Sequence, residues 1–334
     1  MVPIFHLRSL GLAVVLSVVL PLLGEDASPQ GRSQVAAGIR ALSPESTWVE
    51  LPPIRLRFDA HHPQGMVRVG DYFYLSAVEV TRRPQRSETP GAKFDRDPGI
   101  GVGHLFRFAP DGSLDSDLRL GEGTIYHPGG IDFDGHHIWV PVAEYRPRGS
   151  SIVYRVTLDP FVQSAVFRFA DHIGAVAYDP AAKELHGVNW GSREFYRWKL
   201  PERGPVSDAG RPSGGLGRRN PAFYVDYQDC KWLGDGMMAC CGLRTYGDDS
   251  SLGSGFPLGG IELVEASIPR PLHQVPVVRR SFSGRVLTQN AFWVEAVLGG
   301  LRFWFAPDDG RSVVRVFEVR TDREDPAVRG ATGR

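Results

Sequence analysis

A short pattern recurs five times along this 334-residue chain, and it limits the possible folds more than any other feature. Each copy begins with a polar anchor residue and continues into an apolar, strand-like segment that leads to a turn. The anchors are His62, His127, His172, Gln228 and Asn290, which stand 65, 45, 56 and 62 residues apart. Each interval has room for about four short strands, which is the content of one blade of a β-propeller. The repeat therefore predicts one blade for each anchor.

We accordingly predict an all-β fold, a five-bladed β-propeller, that occupies residues 48–320 as a single domain. The fifth repeat lacks an outer strand of its own, and the early segment Ile54–Phe58 can supply it. Such pairing joins both ends of the domain in one blade and removes an exposed sheet edge. The 39 glycines and 26 prolines fit a turn-rich protein, and we find no amphipathic helix of ten residues or more. A six-bladed propeller and a β-sandwich remain alternatives.

Two copies of the repeat share a His-Pro-x-Gly motif, at His62–Gly65 and His127–Gly130, and the second is followed by an Asp134-Gly135 turn. With these motifs the chain resembles the propeller superfamily, and within it an uncharacterised family of secreted bacterial propeller proteins. The resemblance covers nearly all of residues 48–320. At the level of fold the chain is also loosely similar to gluconolactonase-like and strictosidine-synthase-like propellers, which have six blades. Their acidic metal ligands have no counterparts at matching positions here, so the likeness implies no activity.

The first 27 residues are predicted to be a signal peptide. His6 and Arg8 precede an apolar run of 14 residues, Leu10–Leu23, which is short for a membrane span and suits a secretory signal. An uncleaved membrane anchor is the alternative. We expect a secreted or periplasmic protein in which residues 28–47 form a loose linker and residues 321–334 a C-terminal tail.

The three cysteines, Cys230, Cys240 and Cys241, flank a turn at Gly234–Gly236. A hairpin centred on that turn would place Cys230 opposite Cys240 or Cys241, and an exported protein meets oxidising conditions that favour a disulfide. Reduced, buried thiols are the alternative.

The anchors are predicted to form a ring at one mouth of the central channel, because the first strand of each propeller blade lines the axis. Neutral imidazole and amide oxygen suit a divalent metal such as Zn, Mn or Ca, so the predicted ligands are His62, His127, His172 and Gln228. Some metal-dependent polysaccharide lyases with propeller folds are similar in this ligand type only. The alternatives are that the histidines hydrogen-bond the backbone of the next blade, or that they bind substrate or move protons without a metal.

Second strands end at the same face and extend the predicted site. Glu79 and Glu144 occupy equivalent places and are candidates for general acid and base. Their alternative role is to pair with Arg82 and Arg146 just downstream. The predicted substrate-binding residues are Asn189, Trp190, Arg244 and Asn290.

We therefore expect an exported hydrolase or lyase that acts on a small polar or sugar-like substrate, either with a divalent metal or without one. Two long loops, residues 81–103 and 245–259, would lie over the ring, as functional loops often do. The alternatives are a non-catalytic module that binds a ligand or glycan, and a surface scaffold. Because 38 basic side chains balance 38 acidic ones, we expect no nucleic-acid partner. We also expect a monomer with no membrane contact after signal cleavage.

Overall fold

Five small antiparallel sheets form a ring in the computed structural model, which describes residues 29–201, 206, 217–247 and 255–321. Blade 1 contains β2 (His62–Val69), β3 (Tyr72–Arg82), β4 (Ile100–Phe108) and β5 (Leu114–Leu120). Blade 2 contains β6 (Ile125–Pro128), β7 (Asp132–Phe133), β8 (His137–Glu144), β9 (Ser151–Leu158) and β10 (Phe161–Phe169). Blade 3 contains β11 (Ile173–Asp179), β12 (Glu184–Asn189), β13 (Glu194–Lys199) and β14 (Arg218–Arg219). Blade 4 contains β15 (Asp226–Gly234), β16 (Met237–Tyr246), β17 (Phe256–Glu265) and β18 (Arg270–Val277).

The fifth blade joins the two ends of the domain. Its strands are β19 (Ala291–Val297), β20 (Gly300–Ala306) and β21 (Val313–Arg320), and β1 (Trp48–Arg55) adds to β21 as the outer strand. The five-bladed prediction is confirmed, and the six-bladed and sandwich alternatives are wrong. The outer strand begins earlier than the predicted Ile54–Phe58, because the Trp48 ring packs 5.0 Å from the Phe303 ring.

A helix, α1 (Pro29–Ala41), replaces the loose linker predicted for residues 28–47. Its buried side chains Val35, Ala36 and Ile39 follow helical spacing and pack into the hydrophobic core of blades 4 and 5. Partners such as Leu233 lie near the far ends of the inner strands, so α1 covers the face of the ring opposite the anchors. The apolar positions of α1 are few and mostly small, so the sequence pattern does not indicate this helix.

Asp229, which is fully buried, ties the inner strands together at the centre of the ring. Its carboxylate accepts hydrogen bonds from the backbone N–H groups of Met66 and Ile131 at 3.0 Å and of Phe292 at 3.2 Å. It also accepts one from the ammonium of Lys231, which is itself buried. Blades 1, 2, 4 and 5 therefore meet at one carboxylate, and this closes the axis.

The glycines of the His-Pro-x-Gly motifs are required by this close approach. A Cβ atom at Gly65 would lie 2.6 Å from the backbone nitrogen of Ile131, and one at Gly130 would lie 2.6 Å from the Cα atom of Asp229. Real Cβ atoms do not approach backbone that closely, so any side chain here would force the blades apart. The sequence repeat therefore marks the packed centre of the ring as much as its mouth.

Several sequence predictions concern the ends of the chain and the long loops. The signal peptide, residues 1–27, and all of the tail except Thr321 lie outside the described residues, as does part of the loop at 245–259. No helix among the described residues is long and apolar enough to span a membrane.

Cys230 forms a disulfide with Cys240, its partner in the strand register, and Cys241 is a buried free thiol.

Candidate functional site

A cavity of about 210 Å³ opens at the face where the inner strands begin. Four of the five anchors line it, as do several side chains from the ends of second strands. The lining residues are His62, Gln64, His127, Tyr145, His172, Gly174, Asn189, Trp190, Gly191, Asp226, Tyr227 and Gln228. The fifth anchor, Asn290, is not part of the lining, because its buried side-chain amide donates to the carbonyl oxygen of Pro307 at 3.0 Å. Asn290 therefore stands outside the cavity that the other anchors line, and its role in substrate binding stays a prediction.

His62 and His172 are held in the same way through their Nδ1 atoms. Nδ1 of His62 donates to a carboxylate oxygen of Asp309 at 2.7 Å, and Nδ1 of His172 donates to the carbonyl oxygen of Glu144 at 2.8 Å. Both acceptors belong to the preceding blade in the ring. Because each Nδ1 carries the proton, each Nε2 carries the lone pair and can accept a proton or bind a cation.

His127 lies between these two histidines and differs from both. Its ring is 6.4 Å from the His62 ring and 5.8 Å from the His172 ring, measured between centroids. Both of its ring nitrogens are buried and have no hydrogen-bond partner among the described residues. Burial, together with the neighbouring His172 and His62, holds the pKa of His127 well below its ordinary value, so the imidazole is neutral. An unsatisfied buried polar group at a cavity wall fits a site that a ligand completes.

Aromatic rings and amides complete the wall of the cavity. Tyr145 stacks on His127 with centroids 4.1 Å apart, and the Trp190 ring stands edge-on to His172 at 4.8 Å. The Asn189 side chain is already committed, because its oxygen accepts two backbone N–H groups and its nitrogen donates to Asp171. Among the predicted binding residues, Asn189 and Trp190 thus line the cavity, and the Arg96 guanidinium lies 5.6 Å from the centroid of the Trp190 ring.

The two glutamates predicted as general acid and base do not line the cavity. Glu144 is buried against Arg146 and Thr124, at 2.8 Å from each. Burial alone would raise the pKa of Glu144, yet these hydrogen bonds hold it below its ordinary value, so it stays ionised. This is the predicted alternative, pairing with Arg146. Glu79 instead faces His104 and Arg119, while Arg82 pairs with Asp97.

Arg244 reaches the site only through another residue. Its guanidinium lies 3.2 Å from the carboxylate of Asp226, which lines the cavity, and Arg193 contacts the same carboxylate at 3.1 Å. Arg244 therefore contacts the cavity lining through Asp226, and its binding of a substrate anion stays a prediction. Burial raises the pKa of Asp226, and the two arginines oppose the increase.

The predicted metal ligands line one cavity but do not converge as a set of three histidines. Among the described residues, the group of three potential ligands whose donor atoms all lie within 4.8 Å of one another is His61, Glu79 and His104. Metal binding by His62, His127, His172 and Gln228 therefore stays a prediction. The protein nevertheless contains a His/Glu group that can hold an ion.

Asp309 and Tyr145 are two of the site residues that sequence reasoning missed, and Gln64, Asp226 and Tyr227 also line the cavity without having been predicted. Asp309 follows β20, the second strand of blade 5, so the rule that placed Glu79 and Glu144 at this face would also have selected it. Two hydrogen bonds, from His62 and Arg285, hold the pKa of Asp309 at about 2 although burial acts to raise it. Tyr145 directly follows Glu144. Because successive side chains on a strand point to opposite sides, Tyr145 lines the cavity and the predicted Glu144 does not.

A family model and several solved structures are similar to this chain. A family model described as a family of unknown function (DUF6454) matches residues 28–319. No curated protein gives a significant match. Similar solved structures include a hypothetical protein from Leishmania major, with a TM-score of 0.48 and 8% identity over 81% of this chain and 90% of that one. A luciferin-regenerating enzyme has a TM-score of 0.42 and 10% identity over 79% and 95% of the two chains.

A third similar structure, the calcium-binding protein regucalcin from Agrobacterium tumefaciens, has a TM-score of 0.40 and 11% identity over 81% and 95% of the two chains. The five antiparallel sheets of the chain itself confirm the resemblance to the propeller superfamily. At these scores and identities the likeness carries no information about activity.

Proposed function

The chain belongs to a family of unknown function, DUF6454, so its activity has to be inferred from its own site, and we propose that it is an exported hydrolase or lyase for a small polar or sugar-like molecule. The observation that carries the proposal is the pair formed by His62 and Asp309, with Nδ1 of the imidazole 2.7 Å from the carboxylate. A histidine oriented in this way presents Nε2 as a base at the cavity wall.

His62 is the general base in this proposal. Its Nε2 removes a proton either from water, which then attacks the substrate, or from a substrate carbon, which begins an elimination. Asp309 remains ionised at neutral pH because its pKa is about 2, so it stabilises the imidazolium that forms. His127 and His172 stay neutral, since burial lowers the pKa of both. They can then bind substrate hydroxyl groups without adding positive charge.

The wall of the cavity supports a small polar substrate. Its volume of about 210 Å³ is below the range of about 300–1,000 Å³ for drug-sized ligands, which suits a monosaccharide-sized group. Trp190 and Tyr145 offer ring surfaces for the apolar face of a sugar, and Gln64 and Gln228 offer amides for its hydroxyl groups.

A divalent metal in the same cavity is the second candidate, and the two unsatisfied nitrogens of His127 favour it. His62, His127, His172 and Gln228 would hold the ion, which would polarise the substrate or activate water. A ligand-binding module without turnover is a third possibility for the same surface. Export is supported by the apolar run at Leu10–Leu23 and by the Cys230–Cys240 disulfide. We retain a monomer with no nucleic-acid partner as part of the proposal, and mass analysis of the mature N-terminus tests export.

Turnover of a panel of sugar lactones and uronate-containing oligosaccharides tests the reaction. We expect His62→Gln to reduce kcat by about 10²–10⁴-fold, the usual contribution of a general base. Asp309→Asn should lower kcat more than it changes KM, because Asp309 acts through His62. Asp115→Asn is the matched control, since its carboxylate pairs with Arg107 on an outer strand. Undiminished turnover in His62→Gln contradicts the proposal, and binding without turnover by both wild type and His62→Gln favours the module.

A further inference from the structure

A second group of ligating side chains lies on the rim of blade 1, outside the cavity lining. We call His61, Glu79 and His104 the rim cluster; one donor atom from each lies within 4.8 Å of the other two. We propose that the rim cluster binds a divalent transition metal ion of the zinc type, through two imidazoles and one carboxylate. This site is separate from the cavity histidines and goes beyond the proposed function.

His104 is oriented as a metal-binding histidine usually is. It is 1% exposed, and its Nδ1 donates to the carboxylate of Asp117 at 2.9 Å. This bond fixes the tautomer, so Nε2 carries the lone pair and points away from Asp117. Metal-binding histidines typically make this second bond to a carboxylate, which sets the ring orientation and raises basicity.

Glu79 stands opposite that lone pair. Its nearest carboxylate oxygen is 3.8 Å from Nε2 of His104, which is too long for a hydrogen bond. Both atoms are acceptors, so a cation between them satisfies both. Two ligands at about 2.0–2.2 Å from a tetrahedral ion stand roughly 3.4 Å apart, so a small side-chain movement brings the pair onto one ion.

Arg119 currently supplies the positive charge at this place. Its guanidinium donates to Nε2 of His104 at 3.2 Å and lies 3.9 Å from the carboxylate of Glu79. The side chain is 60% exposed, so it can turn into solvent at little cost when an ion replaces it. Arg119 therefore competes with a metal for His104 and Glu79. Removing its charge should strengthen metal binding, whereas removing a ligand should weaken it.

The backbone holds His61 over the cluster in an unusual conformation. His61 has a φ of 51°, which is uncommon for a residue other than glycine and is backbone strain that the surrounding contacts must hold. Hydrogen bonds from its N–H to Asp59 and from the N–H of Gly310 to its carbonyl maintain the turn. As a result His61 lies 4.9 Å from the His104 ring, while the next residue, His62, enters the cavity.

The charges around the rim cluster favour a dication. Among the described residues, carboxylates of Glu79, Asp117 and Asp59 face the cluster, against the guanidinium of Arg119. Two negative charges therefore remain in excess. Two imidazoles and one carboxylate are the ligand set of several zinc sites that keep a fourth position for water.

Calorimetric titration of the full chain with Zn²⁺ alone, after dialysis against a chelator, tests the proposal. We expect one tight site, and we expect Glu79→Gln to weaken it by at least about tenfold. Arg119→Met should tighten it several-fold, because the competing charge is gone. His61→Asn, which tolerates the positive φ, should also weaken binding. Four-coordinate absorption on substitution with Co²⁺ gives a second readout.

His136→Gln is the matched control, because it changes an exposed histidine outside both the cavity lining and the rim cluster and should leave Zn²⁺ affinity unchanged, whereas His62→Gln distinguishes the rim cluster from the cavity. Thermal melting of each variant separates loss of ligands from loss of fold. Absence of Zn²⁺ binding by wild type overturns the proposal. A Zn²⁺ affinity that is unchanged in both Glu79→Gln and His61→Asn also overturns it. A loss of Zn²⁺ affinity confined to His62→Gln places the ion in the cavity instead.

Discussion

Replacing Asp229 by asparagine should remove a large part of the stability of the ring. The Asp229 side chain is fully buried and the Lys231 side chain is 3% exposed, so the mutation leaves a buried ammonium without its counter-ion. Breaking a buried ion pair from one side costs about 3–5 kcal/mol. The asparagine NH₂ group also faces N–H donors such as those of Met66 and Phe292, and one unsatisfied buried donor adds about 1–3 kcal/mol. The sum is comparable with the whole stability of about 5–15 kcal/mol typical of a folded domain.

Urea unfolding followed by tryptophan fluorescence measures this loss. Asp115→Asn is the control, because its pair with Arg107 lies near the surface and exposed pairs contribute about 0–1 kcal/mol. The double variant Asp229→Asn with Lys231→Met should recover part of the loss, since no buried charge is then left unpaired. A single Asp229→Asn variant within 1 kcal/mol of wild type, taken as about the size of one ordinary hydrogen bond, refutes the central role given to this carboxylate.

Three further predictions follow from burial and packing. Because burial holds the pKa of folded His127 well below 6.5, the unfolded chain binds more protons there as the pH falls below that value. As the pH falls, the free energy of unfolding of wild type, measured with urea, should therefore decrease by about 1.4 kcal/mol per pH unit more than that of His127→Gln. Equal slopes of this free energy against pH would contradict the prediction. Ile39→Ala in α1 should lower the free energy of unfolding by about 2–5 kcal/mol, whereas its control Arg40→Ala, at an exposed position, should lower it by less than about 0.5 kcal/mol. Equal melting temperatures of the two variants would show that α1 does not stabilise the ring. Gly130→Ala should cost about 3 kcal/mol or more, because its Cβ would lie 2.6 Å from backbone, whereas Gly123→Asn at an open turn should be nearly neutral in the same assay.

The blade number and the ring closure could be predicted because both depend on repetition, which a sequence records directly. Each anchor had to begin an inner strand, and the spacing of the anchors left room for the remaining strands of each blade. Helix α1 could not be predicted in the same way. Its side chains Val35, Ala36 and Ile39 form a narrow apolar stripe, and its stability depends on partners more than 190 residues away, such as Leu233.

The second-strand residues were harder to place than the anchors. Successive side chains on a strand point to opposite sides, so an error of one position exchanges a cavity residue for a buried one. This occurred at the end of β8, where Glu144 turns toward Arg146 and the following Tyr145 lines the cavity. Asp309 orients His62, the general base of the proposed function. This role depends on a contact between residues 247 positions apart, which no local pattern encodes.

The structural and functional interpretations of the repeated histidines are compatible at two positions and separate at the third. His62 and His172 use Nδ1 to bind the preceding blade, so each contributes to the ring while its Nε2 remains available at the cavity. Loss of activity after substitution of either residue is therefore open to a structural explanation. His127 binds no neighbouring blade through its ring nitrogens within the part of the chain that the structure describes. Its substitution removes no side-chain hydrogen bond of the fold, so loss of ligand binding in a stable His127→Gln variant would report on the cavity alone.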